Sequence, residues 1–268
     1  MKYRSLLLDV DGTVVPVGPH TLPSPKVIES LRQARERVHV SLASGRCLDW
    51  LTEIFKTLDL TDPCIINGGS QIIDPKSQKI IWERPINKED VEDVLKIINK
   101  DKIPFVVSDD GIETENPTLR EFKKPLAIKL TYFDSKEKSD ECLRILSRLP
   151  HISAHKTYSW DKNRNYQMEV YITHNEATKH HAAEELAKIL GVEAHEMIGV
   201  GDARNDAPLL NVCGLKVAMG NADNKLKQIA HYIAPSVDED GVAHVVEKFI
   251  ISEASFDLLQ QAPPLSRL

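Results

Sequence analysis

The chain has 268 residues, a formal net charge of −6 and four cysteines, Cys47, Cys64, Cys142 and Cys213, which are far apart and form no C-x-x-C pair. That length supports one large domain or two modest ones without covalent staples, and the cysteine spacing excludes a zinc knuckle or a redox motif, so reduced, mostly buried thiols are expected. The acidic balance gives no footprint for nucleic acid, and no segment reaches the roughly 20 apolar residues of a membrane helix. The apolar start Leu6-Leu7-Leu8 is cut short by Asp9 and Asp11. No export is therefore expected, a cytoplasmic location is, and the default partner is a small diffusing molecule.

In chain order, hydrophobic period predicts a buried strand over Tyr3–Val10, a helix over Ser24–Arg37, a strand over Val38–Ala43, a helix over Leu48–Leu58 and a short strand over Pro63–Asn67 that stops at Asn67-Gly68-Gly69. Alternation of this kind specifies a parallel sheet covered by helices. Gln71–Asp74 and Lys79–Trp82 read as a hairpin at its edge. Beyond Arg84 the pattern changes to a helix over Lys88–Lys100, strands over Phe105–Ser108 and Ala127–Phe133, a helix over Lys136–Leu149 and strands near Ile152–Lys156 and Gln167–Ile172. This predicts an α+β unit with an antiparallel sheet.

The first pattern then resumes, with helices over Thr178–Leu190, Asp206–Val212, Asn224–Ala230 and Asp240–Ile250 and strands over Glu196–Gly201 and Leu215–Met219. The expected fold is α/β: a Rossmann-like parallel-sheet core from residues 1–83 and 175–268, interrupted by an α+β cap at 84–174. Residues 253–268 carry no firm period and read as a tail.

The chemistry collects at predicted strand ends. Leu6-Leu7-Leu8-Asp9-Val10-Asp11-Gly12-Thr13 is an apolar strand ending in two carboxylates and a glycine. Ligands of open parallel sheets sit beyond the carboxyl ends of strands, and side chains two apart in an extended chain project the same way. Asp9 and Asp11 are thus expected to address one small volume, although a solvated Asp-Gly turn would read alike. Glu196–Gly201 repeats the design, with Asp202 and Asp206 about one helical turn apart. Asp202 could equally cap the following turn. Up to four converging carboxylates would suit Mg²⁺, a hard cation that bridges to phosphoryl oxygens.

Ser44-Gly45-Arg46, at a strand-to-helix junction, offers a hydroxyl and unpaired backbone amides to an anion. Lys179, at the start of a helix, adds a cation where the helix dipole acts in the same sense. Taken singly, Ser44 could be a cap and Lys179 a surface lysine. His174, His180 and His181 do not share a helical face and read as surface residues, while Arg204 stands where a dinucleotide fingerprint needs its third glycine.

With these motifs in order, the chain resembles the haloacid dehalogenase superfamily, in its Cof-type group with a subclass IIB cap. Asn67-Gly68-Gly69, Val217–Ala222 and Asp240–Ala243 are similar to phrases of that group. The resemblance implies a Mg²⁺-dependent phosphatase with Asp9 as nucleophile and Asp11 as general acid and base. Asp9, the Asp11 backbone carbonyl, Asp202 and Asp206 would be held around the metal, with Asp206 as ligand or as partner to one. Ser44, Gly45, Lys179 and Asn205 would bind the substrate phosphate. It implies a small phosphorylated metabolite as partner, of sugar phosphate or phosphoglycolate type, and a monomer or homodimer. A phosphomannomutase-like mutase and a non-catalytic sensor of phosphorylated ligands are the alternatives. Specificity would come from the cap, with Glu113, Arg120, Lys123, Lys124 and Arg164 as candidates.

Overall fold

Leu6, Leu7 and Leu8 are fully buried on both sides of the chain, which a strand can achieve only in the middle of a covered sheet. The computed structural model describes residues 2–252, apart from 19, 111, 119–121, 132, 134 and 161–165. β1 (Ser5–Leu8) is followed by α1 (Pro25–Arg35), which starts where Ser24 Oγ accepts from the Val27 amide at 3.2 Å and proline fills the first helical position. Its buried stripe is Val27, Leu31 and Ala34. Next come β2 (His39–Leu42) and α2 (Leu48–Thr57), whose Leu51, Ile54 and Phe55 face inward.

β3 (Cys64–Ile66) departs from expectation. It touches the parallel sheet through a single bridge, Ala43 to Ile65, and otherwise pairs antiparallel with β4 (Gln71–Ile73), which pairs with β5 (Ile80–Glu83). The apolar run is only three residues long before the Asn67-Gly68-Gly69 turn sends it back, so the local hairpin takes its hydrogen bonds.

The next stretch builds a second sheet. α3 (Lys88–Lys100) leads to β6 (Phe105–Asp109), β7 (Ile112–Glu115), β8 (Pro125–Leu130), α4 (Lys136–Leu146), β9 (Ile152–Trp160) and β10 (Tyr166–His174). All its pairings are antiparallel, in the order β7-β6-β8-β10-β9. β7 was not expected, because Ile112-Glu113-Thr114-Glu115 is polar; it is an edge strand, paired on one side only. This sheet and its two helices share an apolar core of their own, which draws on residues from Ile86 to Ile172.

The chain then returns through α5 (Lys179–Leu190), β11 (Met197–Gly201), α6 (Ala207–Val212), β12 (Leu215–Ala218), α7 (Asn224–Ile229), β13 (Tyr232–Ile233) and α8 (Gly241–Val246), which loosens into a π-helical turn at Glu247–Ile251. The main sheet is parallel, in the order β13-β12-β11-β1-β2. The chain runs from β1 to one side and later returns to the other, so the crevice between β1 and β11 is the switch point where such sheets bind ligands. The four cysteines are free and buried, and no described helix is long and apolar enough to cross a membrane. The predicted tail, 253–268, lies outside the described residues.

Candidate active site

β1 and β11 lie side by side in register, with Leu8 opposite Val200 and the Asp9 amide donating to the Val200 carbonyl at 2.9 Å. Their carboxyl ends therefore deliver Asp9 and Asp202 to the same rim. Asp206 follows in a tight helical turn and is fully buried; its Oδ2 accepts from the amides of Asp202 and Ala203 at 3.1 and 3.0 Å. Carboxylate oxygens of Asp9, Asp202 and Asp206 all lie within 4.8 Å of one another.

Lys179 reaches this group from the first turn of α5, where Thr178 caps the helix. Its ammonium is buried, hydrogen-bonded to Asp9 Oδ1 and, at 2.6 Å, to Asp206 Oδ1. The turn after β3 makes room for it: Gly69 has φ +111, and a Cβ there would sit 2.3 Å from the Thr178 carbonyl carbon.

Asp11 does not join the three carboxylates. The chain stops being extended after Leu8 and folds over at Gly12, so the two-residue alternation that would aim Asp11 beside Asp9 no longer holds. Its carboxylate is instead gripped by Arg46, although both residues still line the same cavity. Gly12, at φ +79, accepts Asp202 so closely that a Cβ would lie 2.2 Å from its Oδ2. Asn221, just beyond β12, donates to the Gly12 carbonyl at 2.8 Å and reaches Asp202 Oδ2 at 3.4 Å.

The anion site proposed at Ser44 needs correction. The Ser44 amide donates to Ile65 and the Arg46 amide to Ser44 Oγ, so of these three amides only that of Gly45 is left without an acceptor in the described chain. Ser44 is buried and caps nothing; Cys47 holds the N-cap position of α2. Ser44, Gly45, Lys179 and Asn205 all line a single cleft of about 1390 Å³ with Asp9, between the rim of the parallel sheet and the second sheet. Of the cap residues named from sequence, Glu113 lines this cleft, Lys124 pairs with Glu83, and Arg120 and Arg164 lie outside the described residues.

Sequence reasoning missed Arg46 and Asn221 as site residues, although both stand in motifs it singled out. Their position just past the ends of β2 and β12, on the same rim, was the available signal.

The charges are unbalanced. Burial, then the neighbouring Asp206, push the Asp9 carboxyl well above the usual carboxylate range, with Lys179 opposing and Asp202 adding to the rise. Burial and Asp206 also push Asp202 up, to about 7, against Lys179. Burial works against the charge on Lys179, but Asp206 and Asp9 outweigh it and the lysine holds its proton more tightly than usual.

With all three carboxylates ionised, one ammonium would leave two negative charges in a desolvated pocket, which is why Asp9 and Asp202 hold their protons more tightly here, and Asp202 Oδ1 is buried with no hydrogen-bond partner among the described residues. A hard divalent cation fits both facts: the donors are all oxygen, and its charge would cancel the surplus.

The comparisons with known proteins agree with this architecture. The family model of haloacid dehalogenase-like hydrolases matches residues 6–126 and 112–246. The 5-amino-6-(5-phospho-D-ribitylamino)uracil phosphatase YcsE of Bacillus subtilis is 25% identical over 257 residues, spanning 94% of this chain and 97% of that protein. Phosphoglycolate phosphatase 1 of Saccharolobus solfataricus is 36% identical over 100 residues, 35% of this chain and 44% of that protein.

Among solved structures, a haloacid dehalogenase-like hydrolase from B. subtilis superposes with a TM-score of 0.78 at 21% identity, covering 92% of this chain and 100% of that one. The subclass IIB sugar phosphatase BT4131 gives 0.75 at 21%, covering 92% and 98%. The parallel sheet with an inserted α+β cap is thus a known fold, and the chain belongs to the haloacid dehalogenase-like hydrolase family, in its Cof-type group.

Proposed function

We propose that this hydrolase is a phosphatase that releases phosphate from the monoester of a small metabolite, with Asp9 as nucleophile. The observation that carries the reading is the placement of Asp9: a buried carboxylate at the switch point of the sheet, hydrogen-bonded to Lys179 and grouped with Asp202 and Asp206. The phosphatase names of the relatives support the same class of phosphoric monoester hydrolase.

In this reading Asp9 attacks phosphorus and the ester oxygen leaves opposite it, giving a phospho-aspartate. Asp11, in the same cleft, gives the departing alcohol its proton and then takes one from the water that attacks the phospho-aspartate. Lys179, the Ser44 hydroxyl, the Gly45 amide and Asn205 hold the phosphoryl oxygens as charge moves onto them. Asp9 and Asp202, with the Asp11 backbone carbonyl, are the residues to hold Mg²⁺, which when bound would neutralise phosphoryl charge. Asp206 is committed to Lys179 and to the Asp202 and Ala203 amides, which supports a holding role beside the ligands. Residues 84–174 would form the lid that keeps bulk water out.

The test is phosphate release from p-nitrophenyl phosphate and a panel of metabolite esters, with and without Mg²⁺. Activity is expected to require the ion and to vanish in Asp9→Asn. Ample hydrolysis by that variant, or isomerisation of a hexose phosphate without net release of phosphate, would overturn the reading.

A further inference from the structure

The loop that carries the Ser44 hydroxyl and the Gly45 amide is held through its carbonyls. The Gly68 amide donates to the Ser44 carbonyl at 3.0 Å and the Asn67 amide to the Arg46 carbonyl at 2.9 Å, both from the turn that follows β3. The carbonyl between them, that of Gly45, accepts from the Tyr171 hydroxyl at 3.2 Å, a group on the second sheet and 126 positions away in the chain. Two of the three supports therefore belong to the unit built on the parallel sheet, and the middle one does not.

Strand alternation aims Tyr171 at this loop. On β10, Val170 and Ile172 enter the apolar core shared with α3 and α4, which turns Glu169, Tyr171 and Thr173 to the cleft. The Tyr171 ring is buried, with the His155 ring 5.6 Å and the Lys129 ammonium 5.8 Å from its centre. It passes so close to the turn after β3 that a Cβ on Gly68 would lie 2.6 Å from its Cε1. A ring confined in this way carries its hydroxyl to one place. Burial pushes that hydroxyl well above the usual tyrosine range, against Lys129, so it keeps its proton and remains a donor.

The peptide that Tyr171 holds joins two parts of the site. Its carbonyl is that of Gly45 and its amide that of Arg46, and a planar peptide turns as one piece. The Arg46 amide donates to Ser44 Oγ at 3.1 Å, which fills an acceptor position of the hydroxyl and leaves its proton to be given elsewhere. The Arg46 side chain grips Asp11. Glycine lets the adjoining peptides swing, and a Cβ at Gly45 would meet nothing within 4 Å, so this side of the residue is open. Resting on the phosphatase reading above, we propose that Tyr171 is a positioning residue: by holding the Gly45 carbonyl from the second sheet, it sets the Ser44–Arg46 loop for phosphoryl binding and completes a site whose other parts lie on the parallel sheet.

Orthovanadate is the probe, because it occupies a phosphoryl site and carries no alcohol. Its inhibition constant is measured for the full chain with Mg²⁺, against hydrolysis of p-nitrophenyl phosphate. Tyr171→Phe keeps the ring and removes the hydroxyl. It is expected to raise that constant about fivefold or more, as the loss of one hydrogen bond would, and to lower kcat/KM by about tenfold. Ser70→Ala is the control, since Ser70 Oγ donates to the Leu126 carbonyl at 2.7 Å and so joins the same two units without touching the three loop carbonyls. Its inhibition constant is expected to match the parent's. Such a constant does not depend on the folded fraction, so a variant that folds in part remains readable. A Tyr171→Phe protein with the parent's inhibition constant, or a Ser70→Ala protein weakened as much as Tyr171→Phe, overturns the positioning role. If the parent cleaves no ester, p-nitrophenyl phosphate included, the phosphatase reading itself has failed and the positioning role falls with it.

Discussion

Arg46 grips both carboxylate oxygens of Asp11, Nε to Oδ2 at 2.9 Å and Nη2 to Oδ1 at 2.5 Å, and Nη2 also reaches the Gly18 carbonyl at 3.1 Å. A planar guanidinium fixes the direction of the carboxylate as well as its charge, which an ammonium cannot do. Arg46→Lys is therefore expected to lower kcat/KM by about tenfold or more through misplacement of Asp11. The pair is partly exposed, so Tm is expected to change little. Steady-state kinetics beside a thermal melt checks this, and a fully active lysine variant would show that Asp11 needs no holder.

Lys179 is the only counter-charge within hydrogen-bonding reach of Asp9 and Asp206 among the described residues. Replacing it by methionine leaves buried carboxylates unpaired, a loss expected to cost about 3–5 kcal/mol in the absence of divalent ions. Mg²⁺ should recover part of this, so the ion is expected to raise Tm more in Lys179→Met than in the parent. Urea unfolding in EDTA and in Mg²⁺ measures both effects. Equal stability of the two proteins in EDTA would contradict the charge arrangement described here.

His155 of β9 packs against Tyr171, with ring centres 5.6 Å apart. Burial, and then the positive charge of Lys179, press its imidazole down to about 4, against a smaller pull from Asp206. The unfolded chain takes up this proton near pH 6.5 and the folded one only near 4, so His155 favours unfolding as pH falls through that window. Its neutral form costs no stability above pH 6.5. Between pH 7 and pH 4.5 the parent should lose on the order of 2 kcal/mol more stability than His155→Gln. Urea midpoints at the two pH values decide it, and parallel losses would mean that the imidazole titrates normally.

Gly12 combines a left-handed backbone with contact against Asp202. Gly12→Ala should cost about 1–3 kcal/mol in backbone strain and should also push Asp202 aside. The rise in Tm on adding Mg²⁺ is then expected to shrink along with the activity. A normal ion response in this variant would show that the carboxylate position is not set by the turn.

Much of this was legible in the sequence. Apolar period gave α3 its observed bounds, Lys88–Lys100, and placed Asp9, Asp202 and Lys179 at element ends, because buried strands can carry charge only where they leave the core. What escaped notice was decided by long-range pairing. β7 is polar and exists through its pairing with β6, and β3 leaves the parallel sheet because the turn after it offers a nearer partner. The Asp11–Arg46 contact joins residues 35 positions apart, and no spacing rule reports it. The likeness of Asp9-x-Asp11 to an extended strand was likewise misleading, since the alternation ends one residue too soon.

The second sheet divides its labour by face. Residues such as Val170 and Ile172 hold the cap together, while their neighbours Glu169, Tyr171 and Thr173 look into the cleft. On the reading that the cleft side meets the substrate, a substitution at Glu169 or Thr173 would leave the apolar face of the strand in place, so one metabolite could be exchanged for another there without first risking collapse of the domain. Turnover of specificity and persistence of the scaffold are in this way uncoupled, residue by alternate residue, along a single strand.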